Sequence, residues 1–244
     1  MNFNTERFEW KTFDTLYALE SFADYWLENE KLIKIAADEQ EKKHAPTWMP
    51  TDDDERGEYD MEVRNIRHLH DEIMIPMFRQ SCIVMLFSMV ERGLKRLVDS
   101  LEKEHGKKQR TPKEFKGSML QQTSKFTEKY HSLTLTKCPE YNAVCDLQKI
   151  RDCIVHCRGE VSLVKNESDR KYLLALKKSR PGFLALEHTE LDIEAECIEQ
   201  FIREVWRFFV WIFNELKWKL NDLWEQKKWA QLVDGIMAHA IRIA

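Results

Sequence analysis

Apolar side chains recur every three or four residues through three long stretches of this chain, and this spacing constrains its fold more than any other feature. The stretches are residues 5–43, 77–104 and 192–231. Spacing of this kind places apolar groups on one face of an α-helix, which must then be buried against another element. In the middle stretch the stripe comprises Phe78, Cys82, Met85, Leu86, Met89, Val90, Leu94, Leu97, Val98 and Leu101. The pattern predicts an all-α helical bundle with this stripe in its core.

Residues that interrupt helices are scarce, because the 244 residues include only 7 Gly and 6 Pro. Residues 5–43 predict one long amphipathic helix or two in sequence, and Pro46 and Pro50, with the acidic run after them, predict a break that follows. Pro76 lacks an N–H group and predicts a kink or a new helix start. Two short apolar runs, 172–176 and 183–186, flank the turn sequence KKSRPG and predict a small β-hairpin before the last long helix.

The last stretch is rich in tryptophan, and two of its tryptophans lie off the main apolar stripe. These are Trp206 and Trp211, and aromatic side chains on a second face suggest a partner surface. The alternative is that the N-terminal helix covers them within one chain.

Composition excludes several classes of protein. No stretch approaches eighteen apolar residues without a charge, so we expect no membrane span. The first residues, MNFNTERFEWK, lack the basic and apolar regions of a signal peptide, so we expect a cytoplasmic location. The six cysteines form no CxxC pair and fit no common zinc spacing. We therefore expect them to act as small, half-buried apolar residues, with neither a metal nor a cofactor.

Charge is distributed unevenly along the chain. The net charge is −4, yet residues 101–180 hold 18 Lys and Arg against 10 Asp and Glu. Such a local basic excess points to a partner that carries phosphate. Uneven solvated faces explain the same distribution, and charge alone does not choose between the two interpretations.

One segment within the basic region, Leu147–Ser162 (LQKIRDCIVHCRGEVS), combines an apolar helical pattern with side chains suited to chemistry. It predicts a helix over about residues 139–158 that ends at Gly159. The polar set on its last turns is Arg151, Asp152, His156 and Arg158. Asp152 and His156 are four residues apart and share a helix face, so the carboxylate is expected to orient the imidazole.

The same side chains are suited to cleavage of RNA without a metal. A histidine can transfer a proton to or from the ribose 2′-OH or the leaving 5′-oxygen. An arginine can stabilise the negative charge that develops on the phosphorus in the transition state. One histidine cannot easily serve both ends of an in-line reaction, whereas a symmetric dimer would bring two together. By spacing alone the R-x4-H pattern is weak, and surface residues with no chemical role give the same pattern.

IRDCIVHCRGEV resembles the R-x4–6-H motif of the HEPN superfamily, in which a polar residue follows the Arg. The preceding segment, FRQSCIVMLFSMVERGLKRLVDSL, resembles the long first core helix of that superfamily, with its Glu at Glu91. The resemblance covers residues 73–216 and points to the branch found in toxin–antitoxin and phage-defence systems. It divides the chain into an N-terminal helical extension (1–72), a HEPN-like helical domain (73–230) and a tail (231–244).

The resemblance implies a homodimer with the motif at the dimer cleft and metal-independent endoribonuclease activity. It makes Arg151 and His156 catalytic, Asp152 their polar companion and Glu91 a supporting carboxylate. Asp152 replaces the commoner Asn of the motif and places a negative charge near the phosphate. Some relatives have lost catalysis and only bind or scaffold, so a non-catalytic module is the alternative. Partners implied are RNA and a cognate antitoxin or defence protein.

Basic side chains near the motif are candidates for holding RNA. They are Lys149 and Arg158 in the motif segment, with Lys107, Lys108 and Arg110 in the loop GKKQRTPKEFKG. That loop is equally well explained as a solvated connector.

Overall fold

The computed structural model describes residues 5–44, 53–104, 111–184 and 190–216. The described chain is almost entirely helical, which confirms the predicted all-α bundle. The helices are α1 (Thr5–His44), α2 (Asp53–Arg67), α3 (Ile75–Glu104), α4 (Met119–His131), α5 (Tyr141–Cys157), α6 (Glu167–Leu176) and α7 (Ala195–Glu215). The predicted tail, 231–244, lies outside the described residues.

Helix α3 lies at the centre of the bundle and packs against α1, α4, α5 and α7. Its predicted stripe supplies the core, since Leu86, Val90 and Leu94 are fully buried. A window within Asp53–Glu102 is also apolar enough, by length and composition, to cross a membrane. The core helix of a water-soluble protein passes the same test, and a single such helix is weak evidence for a membrane span.

Helix α1 contributes to the same core rather than standing apart. Leu16, Leu19, Phe22 and Trp26 are buried in one cluster with the apolar residues of α3, α5 and α7. Of the two predicted alternatives, one long helix or two in sequence, the structure has the single helix, and one of its faces is covered by the rest of the chain.

Glycine allows α3 and α7 to approach closely at Gly93. A Cβ built on Gly93 would lie 2.3 Å from Cζ and 2.7 Å from Cε1 of Phe209. Any larger residue must therefore displace an aromatic ring that is itself buried in the core.

A π-helical segment, His68–Met74, joins α2 to α3 without a loop. Its wider turn is shown by the N–H of Ile75, which donates to the carbonyl of His70 five residues earlier. Pro76 explains the wider turn, because its ring would clash with the carbonyl of Glu72 in a regular α-helix. The predicted kink or restart at Pro76 is therefore realised as a change of helix type.

The predicted hairpin was wrong in its first strand. Residues 172–176 belong to α6, where Leu173 and Leu176 bury one helix face and Asn166 caps the start by accepting the N–H of Ser168. The strand pair before α7 consists instead of β1 (Phe183–Leu184) and β2 (Asp192–Ile193), which are antiparallel. Leucine and alanine favour helix over strand, and this propensity decides the 172–176 run.

Two further sequence interpretations are corrected by burial. Trp206 is buried in the core and Trp211 is half-buried against it, so these side chains pack within the chain. Helix spacing points His68 and His70 to different faces, and the sequence predicts both to be surface residues. His70 is instead buried, and its Nε2 lies 3.0 Å from Oε1 of Gln40 on α1. His68 is exposed as predicted and pairs with Glu72.

A buried arginine ties the end of α6 to two other helices. Arg180 follows α6 and donates through Nη2 to Asp146 of α5 at 2.8 Å and through Nη1 to Glu204 of α7 at 2.5 Å. Its guanidinium lies 4.3 Å from the ring centre of Phe201. Burial raises the pKa of Glu204 above its ordinary value, and the charge of Arg180 opposes that rise. The contacts fix α5 against α7.

Candidate active site on α5

The motif residues lie on the last turns of α5, as predicted. The helix ends when Arg158 adopts a left-handed conformation (φ 54°) and Gly159 follows with φ 77°. The N–H of Gly159 then donates to the carbonyl of Cys153 at 3.1 Å, which satisfies a free carbonyl at the helix end. The helix thus stops one residue earlier than Gly159 itself would indicate, and this stop sets His156 at the last exposed turn.

Arg151 is held in place by three groups. Its Nη2 donates to Oε1 of Glu91 on α3 at 3.1 Å, and its Nη1 donates to Oδ1 of Asp152 at 2.7 Å. The guanidinium also lies 4.9 Å from the ring centre of Phe87, one turn before Glu91 on α3. The side chain keeps 20% of its surface exposed. Arg151 is therefore positioned before any ligand arrives, with its charge offset by two carboxylates.

The expected pairing of Asp152 with His156 is replaced by the pairing of Asp152 with Arg151. The imidazole of His156 is exposed, and among the described residues no hydrogen bond or ion pair reaches it. The reason is competition, since the neighbouring guanidinium offers the carboxylate a permanent charge and a short hydrogen bond. Orientation of the imidazole by Asp152 does not occur in the single chain.

The basic residues of α5 divide between two faces of the helix. Lys149 forms an ion pair with Asp169 of α6, and its Nζ lies 5.2 Å from the ring centre of Tyr172. Arg151 faces α3 instead. His156 is seven residues beyond Lys149, almost two full turns, so these two share a face about 10 Å apart along the axis.

The other predicted RNA-binding residues are less constrained. Arg158 is exposed at the helix end, where its left-handed backbone points the chain into the following turn. Lys107, Lys108 and Arg110 lie outside the described residues.

Within residues 5–44, 53–104, 111–184 and 190–216, no group of three or more His, Cys, Asp or Glu side chains is placed to hold a metal ion. Burial raises the pKa of Cys153 to about 12, so its thiol stays protonated and apolar in character.

Two contacts of the site were missed by sequence reasoning. Phe87 was not among the residues of the predicted core stripe, although its position four residues before Glu91 signals that both side chains reach one spot on α3. Asp169 gave no signal, because its pairing with Lys149 depends on how α6 packs on α5.

Comparison with models of protein families, with curated proteins and with solved structures finds no match for this chain.

Proposed function

We propose that this chain is a metal-independent endoribonuclease of the HEPN type that acts in the cytoplasm, in toxin–antitoxin or anti-phage defence. One observation carries the proposal: Arg151 is fixed beside the surface by Glu91, Asp152 and Phe87, and His156 stands exposed and unpartnered on the next turn. An arginine positioned before binding can stabilise a developing charge without reorganisation.

In the proposed reaction the 2′-oxygen of a ribose attacks the adjacent phosphorus, and the bond from phosphorus to the 5′-oxygen breaks. One imidazole accepts the proton of the 2′-OH, and another donates a proton to the departing 5′-oxygen. Arg151 binds the non-bridging oxygens, which gain negative charge as the phosphorus becomes five-coordinate. The products carry a 2′,3′-cyclic phosphate and a free 5′-hydroxyl.

A homodimer is part of the proposal, because Arg151 and His156 of one chain point in different directions from the axis of α5. Arg151 and His156 are five residues apart, which is about 140° around an ideal helix. A two-fold axis close to the end of α5 would set His156 of each protomer opposite Arg151 of its partner and supply two imidazoles. Light scattering on the purified protein is expected to give twice the mass of one chain.

The carboxylates around Arg151 set a condition on RNA binding. Of the five N–H groups of the guanidinium, one faces Glu91 and one faces Asp152, which leaves three for phosphate. A phosphate that binds there must also approach two negative charges. Binding is therefore expected to depend on other basic groups, for which Arg158 is the exposed candidate at the helix end.

The same observation favours a second candidate function, a non-catalytic HEPN module that binds RNA, a nucleotide or a protein. Two carboxylates offset the charge of Arg151 and would weaken its effect on a transition state. Such a module would bind RNA or a partner through the surface of α5 and leave the RNA intact.

Incubation of purified protein with total RNA in EDTA separates the two functions. The variants His156→Ala and Arg151→Ala remove the proposed catalytic groups. His68→Ala and Arg170→Ala are matched controls that remove the same side-chain types elsewhere on the surface. For the endoribonuclease we expect cleavage by wild type and both controls, cyclic phosphate ends, and intact RNA with the two site variants.

Intact RNA with wild type, together with a stable RNA complex, would overturn the endoribonuclease and support the binding module. Equal cleavage by His156→Ala and wild type would overturn the assignment of the site.

A further inference from the structure

A row of exposed apolar side chains follows the outer face of α2, the π-helical segment and the start of α3. Its members are Met61, Leu69, Ile73, Met74 and Met77, which we call the Met61–Met77 row. Met77 is 64% exposed, Met61 55%, Leu69 43% and Ile73 40%. A single exposed apolar residue needs no explanation, whereas several exposed apolar residues along one helical stretch are a candidate interaction surface.

The π-helical segment is what brings the row together. In a regular α-helix residues four apart drift by about 40° per step, so Leu69, Ile73 and Met77 would spread around the axis. The i→i+5 bonding of His68–Met74 widens the turn and places residues four apart closer to one line. Helical turns of this type are rare and are frequently found at functional sites. The segment therefore converts scattered side chains into one surface.

The opposite face of the same helix is already in use. Ile66, His70 and Ile75 are buried, and His70 bonds Gln40 of α1. Arg67 forms ion pairs with Asp38 and with Glu41, both on α1. The Met61–Met77 row is therefore not the face with which this helix packs against the rest of the bundle.

Acidic side chains lie on α2 and beside the apolar side chains of the row. Asp54, Glu58 and Glu62 are exposed on the outer side of α2, and Asp71 and Glu72 are exposed beside Leu69 and Ile73. Residues 53–74 hold eight Asp and Glu against three Arg. One of those three is Arg67, whose charge is taken up by α1. The surface therefore combines an apolar, methionine-rich part with a part that carries a net negative charge.

We propose that the Met61–Met77 row binds a basic amphipathic helix of a partner protein. Unbranched methionine side chains adapt to apolar side chains of different shape, and the acidic groups attract Lys and Arg beside them. A second copy of this chain fits poorly. Parallel pairing would oppose like charges, and antiparallel pairing would set carboxylates on the apolar part. An anionic membrane would meet the same negative charge.

The proposal does not depend on ribonuclease activity, and a defined peptide tests it. The probe is a fluorescent helical peptide of about 18 residues built from Leu and Lys, long enough to cover Met61–Met77. Its control has Glu in place of every Lys and the same Leu pattern. We expect the Lys peptide to bind the full chain, to bind more weakly as salt is raised, and to exceed the Glu peptide by at least about tenfold in affinity.

Matched variants locate the binding. The row variant combines Leu69→Gln, Ile73→Gln and Met77→Gln, and we expect it to bind the Lys peptide about tenfold or more weakly than wild type. Leu32→Gln, on the exposed side of α1, should leave the affinity unchanged. Met77→Gln alone, at the most exposed position, gives a weaker effect in the same direction if the triple variant does not fold. Asp71→Asn is expected to reduce the salt dependence.

Three results would overturn the proposal. The first is binding without the expected specificity, seen either as equal binding of both peptides to wild type or as equal binding of the Lys peptide to wild type and the row variant. The second is a loss of self-association in the row variant by sedimentation, which would make a second copy the occupant. The third is binding of wild type, but not the row variant, to neutral phosphatidylcholine vesicles, which would make a lipid surface the occupant.

Discussion

Replacement of Arg180 by methionine tests how the buried charge network supports the bundle. The side chain of Arg180 is 6% exposed and bonds Asp146 of α5 and Glu204 of α7. Methionine keeps much of the volume and removes the charge. Two carboxylates then lose the cation between them while the surrounding helices keep them from water.

The expected cost is about 3–5 kcal/mol in the free energy of unfolding near neutral pH, which is typical when one partner of a buried ion pair is removed. The cost also depends on pH with a defined sign. Burial already raises the pKa of Glu204 in the folded chain, so its contribution to stability falls as pH rises through the raised pKa. Without Arg180 that pKa rises further, because the opposing charge is gone.

The loss in free energy of unfolding caused by Arg180→Met should therefore be larger at about pH 7 than at about pH 4. The expected difference is at least about 1 kcal/mol, which corresponds to a further rise of less than one unit in the pKa of Glu204. Urea unfolding at both pH values measures it. Lys171→Met is the matched control, since Lys171 forms a surface pair with Glu167 at 2.8 Å on α6. The control should cost at most about 1 kcal/mol. A similar cost for both variants, or a penalty that grows as pH falls, would refute the reasoning.

Two further predictions follow from close packing and from surface charge. Gly93→Ala should lower the free energy of unfolding in urea by about 1–3 kcal/mol, because the new Cβ at position 93 would overlap the ring of Phe209. Equal or higher stability would contradict the tight contact of α3 with α7. Asp169→Asn should free Lys149 and tighten RNA binding about two- to fivefold at low salt, as expected for a surface pair worth 0.2–1 kcal/mol; filter binding measures it, and unchanged affinity would argue against Lys149 as an RNA contact.

The long helices were predictable because the spacing of apolar residues along the chain is enough to identify them. The stripes of α1, α3 and α7 each bury one face, and that spacing can be read without knowledge of the neighbours. The 172–176 run was misread because five residues are too few for spacing to distinguish helix from strand. The π-helical segment was not predictable in detail, since Pro76 specifies only that the preceding turn must change.

The contacts of the candidate site were likewise predictable only in part from the sequence. Glu91 interrupts the apolar stripe of α3, where a carboxylate needs either a partner or water, and the structure supplies Arg151 as the partner. The pairing of Asp152 was mispredicted, since helix spacing allowed His156 and the adjacent guanidinium was not weighed against it. The contact of Lys149 with Asp169 depends on tertiary packing and has no signature in sequence.

The rate of RNA cleavage by His156→Ala, relative to wild type and in the presence of EDTA, tests the central claim most directly. Loss of a group that transfers a proton in the transition state should lower the rate by about 100- to 10,000-fold. His68→Ala should cleave at the wild-type rate, and circular dichroism should show the same helical content in all three proteins. Cleavage by His156→Ala at the wild-type rate would contradict the claim that the end of α5 is an active site.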